Sequence, residues 1–106
     1  MNGKAYNELL PNEVHDRMKS KENVAIIDVR EPDEWESGHI PGAKHIPLGQ
    51  ITGALNEINP KEETIVVCRS GNRSGKACEY LSSLGFKVLN MSGGMSAWSG
   101  DIEIGK

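Results

Sequence analysis

The chain has 106 residues, which suits a single domain around one modest core and leaves little room for two. Apolar residues make up 37% and the formal net charge is -3, as in an ordinary globular protein, without the basic excess of a nucleic-acid binder. The stretch from Met1 to Pro11 has no apolar segment of the signal-peptide kind, and the longest apolar runs, four or five residues, are far too short to span a membrane. The expectation is a cytoplasmic monomer with no nucleic-acid or membrane partner and no cofactor. In a reducing compartment Cys68 and Cys78 are expected as free thiols. His15, His39 and His45 are scattered, so no metal site is expected.

In chain order, Pro11 suits the first turn of a helix reaching about Lys19, with Val14 and Met18 on one face. Val24-Ala25-Ile26-Ile27 predicts a buried strand ending at Asp28. Glu31-Pro32-Asp33-Glu34-Trp35 predicts an acidic first helical turn closed by Gly38; the acidic side chains, Glu36 included, are explained by the helix dipole. Ala43 to Ile46 predicts a second strand ended by Pro47, and Ile51 to Ile58 a helix weakened by Gly53. Thr64-Ile65-Val66-Val67 is the clearest strand. Ser74 to Leu84 is the clearest helix, with Ala77, Tyr80, Leu81 and Leu84 on its buried side and Gly85 as its stop. Phe86 to Leu89 predicts another strand, Gly93-Gly94 a turn, and Met95 to Trp98 a short last helix. Buried strands alternating with helices predict an α/β fold with a mostly parallel sheet, whose sites lie beyond the carboxyl ends of the strands.

Two chemically marked segments fall at such ends: Asp28-Val29-Arg30, and Cys68-Arg69-Ser70-Gly71-Asn72-Arg73-Ser74. The second joins a strand to a helix through a polar, glycine-containing loop. Its backbone N–H groups can curl inward into a nest at the helix N-terminus. A sulfur at the centre, also near Arg69 and Arg73, is favoured as thiolate without a histidine base. A cysteine at a strand end is commonly an inert buried residue, but here strand, loop and two arginines coincide, which favours a reactive thiol. Cys78 lies mid-helix and reads as a small core thiol; the alternative is a resolving cysteine for oxidised Cys68. Trp35 and Trp98 could rim the site, but ordinary packing is the simpler reading. His39 and His45 read as structural hydrogen-bonding residues, and His15 as part of a solvated helix face.

These segments together resemble the rhodanese family. The likeness runs from about Leu10 to Trp98, through Ile27-Asp28-Val29-Arg30-Glu31, Glu34-Trp35-Glu36-Ser37-Gly38-His39-Ile40-Pro41-Gly42-Ala43, His45-Ile46-Pro47, the loop Cys68 to Ser74, and Gly93-Gly94-Met95-Ser96-Ala97-Trp98. It implies one rhodanese-like domain over residues 1–106, with a core at about 10–99 and a short tail at 101–106. It implies a central, mostly parallel five-stranded sheet with helices on both faces. The implied activity is sulfur transfer: Cys68 takes sulfane sulfur from a donor such as thiosulfate, becomes a persulfide, and passes the sulfur to cyanide or a thiol. The stretch Arg69, Ser70, Gly71, Asn72, Arg73 would cradle the transferred sulfur, with Ser74 closing the loop. Asp28 and Arg30 would hold the site together. Arg69 and Arg73 would attract an anionic donor.

Alternatives are a persulfide relay fed by a protein partner such as a cysteine desulfurase, a non-catalytic binding module, and a phosphatase or arsenate reductase. Intact Cys68 disfavours the binding module. The related phosphatase group carries Cys-x5-Arg, whereas here Arg73 follows Cys68 by five positions, giving the shorter Cys-x4-Arg. A tighter ring suits one sulfur atom better than a tetrahedral oxyanion.

Overall fold

The computed structural model of the chain describes residues 6–20 and 24–105. The first five residues of the N-terminal stretch and Lys106 of the tail lie outside the described residues. The elements are β1 (Asn7–Leu9), α1 (Pro11–Lys19), β2 (Ala25–Asp28), α2 (Pro32–Glu36), β3 (Lys44–His45), two 3-10 helices (Leu48–Gly53 and Leu55–Glu57), β4 (Thr64–Val67), α3 (Asn72–Ser83), β5 (Val88–Met91) and a 3-10 turn (Gly94–Ala97). The five strands form one sheet in the order β1-β5-β4-β2-β3, and every paired strand is parallel.

Strand alternation divides the core. Ile27, Val29, Val66, Cys68 and Val88 face one side, with Ile51, Ala54 and Ile58 from the 3-10 segment and its caps and Ala77, Cys78 and Leu81 from α3. Ile26, Ile65, Val67, Leu89 and Met91 face the other, with Val14 of α1 and the partly buried Met95 and Trp98. Helices thus cover both faces, as expected. Cys68, one residue beyond β4, continues the alternation and is committed to the α3 side. Among the described residues, no helix is long and apolar enough to cross a membrane.

Several elements depart from expectation. β1 is a strand that local pattern does not announce: three residues, two of them exposed, recruited by pairing with β5. The helix expected over Ile51–Ile58 is instead two 3-10 turns broken at Ala54. Gly53 costs about 1 kcal/mol in an α-helix relative to alanine, and the three-residue step from Ile51 to Ala54 matches 3-10 periodicity. Helix α3 begins at Asn72, not Ser74, because Gly71 takes the left-handed conformation (φ +101°) that turns the chain into it. Its buried face runs through Ser74, Gly75, Ala77, Cys78 and Leu81. Tyr80 and Leu84, expected inside, are 37% and 49% exposed. β5 starts two residues later than expected, so Asn90 rather than Phe86 belongs to it. The tail is docked: Glu103 and His39 exchange backbone hydrogen bonds (2.8 and 2.9 Å), and the Gly105 N–H donates to the Glu36 carbonyl.

Candidate active site

β2 and β4 are neighbours in register, with Asp28 opposite Val67, so their two marked carboxyl ends meet in space. The Asp28 carboxylate accepts from Arg30 Nε (3.0 and 3.1 Å) and Nη2 (2.8 Å), and from the Arg30 backbone N–H. Arg30 Nη2 also donates to the Gly38 carbonyl at 2.7 Å. Both side chains are buried, at 1% and 5% exposure. Such a pair is tolerated in the interior because each partner is satisfied by the other and by backbone. It ties β2 to the turn after α2.

The loop after β4 closes round the sulfur. Cys68 Sγ accepts the Gly71 N–H at 3.0 Å and lies 3.2 Å from the Ser74 hydroxyl. Burial pushes the Cys68 thiol up, but the Ser74 hydroxyl and the backbone N–H groups of Ser74, Gly71 and Ser70 outweigh it, and the net direction is down. Cys78 behaves oppositely. Burial first, then the charges of Glu8 and Cys68, push it up to about 12. The loop thus favours the thiolate of Cys68, while Cys78 sits as a thiol in the apolar core, where the sequence reading had it.

The loop is clamped from behind. The Cys68 carbonyl accepts from the Met95 N–H (2.8 Å), and the Arg69 carbonyl accepts from the Ser96 N–H and hydroxyl (2.9 and 2.8 Å). This requires glycine at 94, where φ is +56° and a Cβ would collide with the Cys68 carbonyl and the Arg69 backbone. The Gly93-Gly94 turn is therefore part of the site's support.

The two arginines differ. Arg73 Nη1 and Nη2 donate to the two carboxylate oxygens of Glu34 at 2.7 and 2.8 Å. That bidentate contact lowers Glu34 to about 2 and raises Arg73. The fork expected to grip an anionic donor is committed to a side chain of α2. Arg69 is exposed and, among the described residues, has no ion-pair partner. Asn72 lies exposed in the first turn of α3.

Local pattern accounts for Glu34 as part of an acidic helical turn. Its partner was legible in principle: an acidic turn follows β2, a basic loop follows β4, and the strands are adjacent. His39 Nδ1–H donates to the Trp35 carbonyl and His45 Nε2–H to the Arg30 carbonyl, both at 2.7 Å, in keeping with structural roles. Trp35 stacks on both imidazoles, with ring centroids 3.5 and 4.8 Å away. His15, expected on a solvated face, is half-buried edge-on to Trp98.

The family model described as "Rhodanese-like domain" matches residues 10–101. The chain belongs to the rhodanese-like family. "Putative sulfur carrier protein YrkF" of Bacillus subtilis is 43% identical over 88 residues, which are 82% of this chain and 48% of that protein. This rhodanese-like chain therefore spans about half of that relative's length. "Thiosulfate sulfurtransferase GlpE" of Pseudomonas putida is 32% identical over 90 residues, covering 84% of this chain and 82% of the relative. The crystal structure of a rhodanese-like domain protein from Staphylococcus aureus is similar at a TM-score of 0.88 and 38% identity, over 94% of this chain and 99% of that one. Sulfur transfer is the chemistry attached to the rhodanese-like family at this level of likeness.

Proposed function

We propose that this protein is a sulfurtransferase that carries sulfane sulfur as a persulfide on Cys68. The observation that carries the reading is the sulfur held at 3.0 Å from the Gly71 N–H and 3.2 Å from the Ser74 hydroxyl at the mouth of α3. With thiosulfate as donor, the Cys68 thiolate attacks the outer sulfur, the thiosulfate S–S bond breaks, and sulfite leaves with the electron pair. The new outer sulfur is anionic, and the loop N–H groups are suited to it. A cyanide or thiolate acceptor then attacks that sulfur, the persulfide bond breaks, and the Cys68 thiolate returns. Arg69 guides the anionic donor, while Arg73 braces the loop through Glu34. Asp28 and Arg30 hold the carboxyl end of β2 in place.

Intact mass after brief exposure to thiosulfate tests this: the wild type gains about one sulfur atom, released by cyanide. Cys68→Ser gains none, and Cys78→Ser gains it normally. Normal loading of Cys68→Ser would refute the reading.

A second reading, a relay fed by a protein persulfide, is favoured by the engagement of Arg73 with Glu34, which leaves Arg69 as the loop guanidinium without an ion-pair partner among the described residues. It predicts that a cysteine desulfurase loads Cys68 far faster than thiosulfate does.

A further inference from the structure

β5 is apolar except at one position. Asn90 is 2% exposed and bonds to two residues of the active-site segment, Gly71 and Ser74. Its amide Nδ2 donates to Glu8 Oε2 and to the Gly71 carbonyl, both at 3.2 Å. Both partners are acceptors, so the NH2 group must face them and Oδ1 must face the other way. There it meets the Ser74 hydroxyl at 2.5 Å.

A hydroxyl has one proton to donate. Ser74 Oγ stands between two acceptors, Asn90 Oδ1 and Cys68 Sγ. While Cys68 is a thiol, its S–H can donate to Ser74 and Ser74 to Asn90, so all three are satisfied. Once Cys68 is a thiolate, both sulfur and amide oxygen want the same hydroxyl proton. Ser74, Cys68 and Asn90 are all buried, so bulk water does not relieve the competition.

We infer that Asn90 is a positioning residue that decides which partner receives the Ser74 proton, and thereby how readily Cys68 gives up its own. Because its amide also holds the Gly71 carbonyl, it fixes the loop residue whose N–H faces the sulfur. The thiolate is stabilised by the loop and held in check by Asn90. That restraint fits a sulfur that must both attack a donor and later leave. The inference rests on the reading of Cys68 as the reactive thiol.

The test is the pH dependence of Cys68 alkylation by iodoacetamide, in a Cys78→Ser background with folding checked by circular dichroism. Asn90→Leu removes the competing acceptor. Its midpoint moves to lower pH, raising the alkylation rate below the wild-type midpoint by about tenfold, the worth of one hydrogen bond to a charged group. Asn90→Ala carries the same expectation should leucine not be accommodated. Asn90→Asp keeps an acceptor at Ser74 and does not lower the midpoint. Ser74→Ala raises it, and in that background Asn90→Leu gives no downward shift, because the competition for the proton runs through Ser74. An unmoved or raised midpoint in the Leu and Ala variants would overturn the inference. So would a lowered midpoint in Asn90→Asp, or an equal downward shift with and without Ser74. Failure here would leave persulfide loading of the wild type intact, whereas failure of the parent reading would appear as no mass gain on Cys68.

Discussion

Replacing Glu34 by glutamine gives the sharpest test of how the site is braced. The substitution keeps the shape of the side chain but removes the charge that two Arg73 N–H groups grip at 2.7 and 2.8 Å. The fall of the carboxyl from 4.5 to about 2 corresponds to roughly 3 kcal/mol if taken at face value. With the side chains 24% and 33% exposed, solvent screening reduces this to about 1–2 kcal/mol. For a chain of this size, about 1 kcal/mol shifts Tm by roughly 4–8 °C. The folded carboxyl ionises more readily than the unfolded one. The contribution is therefore complete above pH 4.5 and fades as the pH falls towards 2. Urea unfolding of wild type and Glu34→Gln at a series of pH values measures the difference directly. A gap near pH 7 that closes in acid is expected. Equal stability at pH 7, or a gap that persists unchanged at the acid end, would refute the reasoning.

Arg69→Ala should raise the KM for thiosulfate without altering the unfolding midpoint, because its guanidinium makes no ion pair among the described residues; an unchanged KM counts against its role in guiding the anion. Arg30→Ala should cost about 3–5 kcal/mol in chemical denaturation, since it strands the buried Asp28 carboxylate; a loss below 1 kcal/mol would mean the carboxylate finds another partner. Gly94→Ala should slow persulfide loading more than a surface glycine change such as Gly53→Ala, because its Cβ presses on the carbonyls behind the sulfur; equal loading rates for the two variants would show the clamp to be idle. The unmodified protein should not hydrolyse an aryl phosphate, as the Cys-x4-Arg ring is small for a tetrahedral oxyanion and Arg73 is held by Glu34. Phosphatase activity lost on Cys68→Ser would overturn the sulfur-transfer assignment.

The parts of the fold written in local pattern were legible. Thr64–Val67 is apolar and β-branched at nearly every position, and Pro11 marks the start of α1, so both were found at their observed bounds. β1 was not legible, because Asn7-Glu8-Leu9 becomes a strand only when β5 is beside it. The same holds within the site. Cys68 and its loop are contiguous in sequence and could be recognised together. Glu34, Asn90 and Gly94 reach the loop only across the sheet top, and their roles rest on contacts between segments far apart in sequence. The Glu34 partner of Arg73 is of the same kind: charge alone points to an anion, and only the fold brings a carboxylate of α2 within reach.

The stacking of Trp35 on two imidazoles has an optical consequence. Trp35 follows Glu34, whose carboxylate is locked to the first turn of α3, and its ring lies against His39 and His45, the latter bonded to the Arg30 carbonyl. The other tryptophan, Trp98, sits apart, edge-on to His15 with its indole N–H on the Asp101 carbonyl. The indole of Trp35 is therefore an intrinsic fluorophore joined to the loop through one ion pair. A Trp98→Phe variant isolates that indole, and a shift of the loop on sulfur loading is expected to register in its emission without any label attached to the chain.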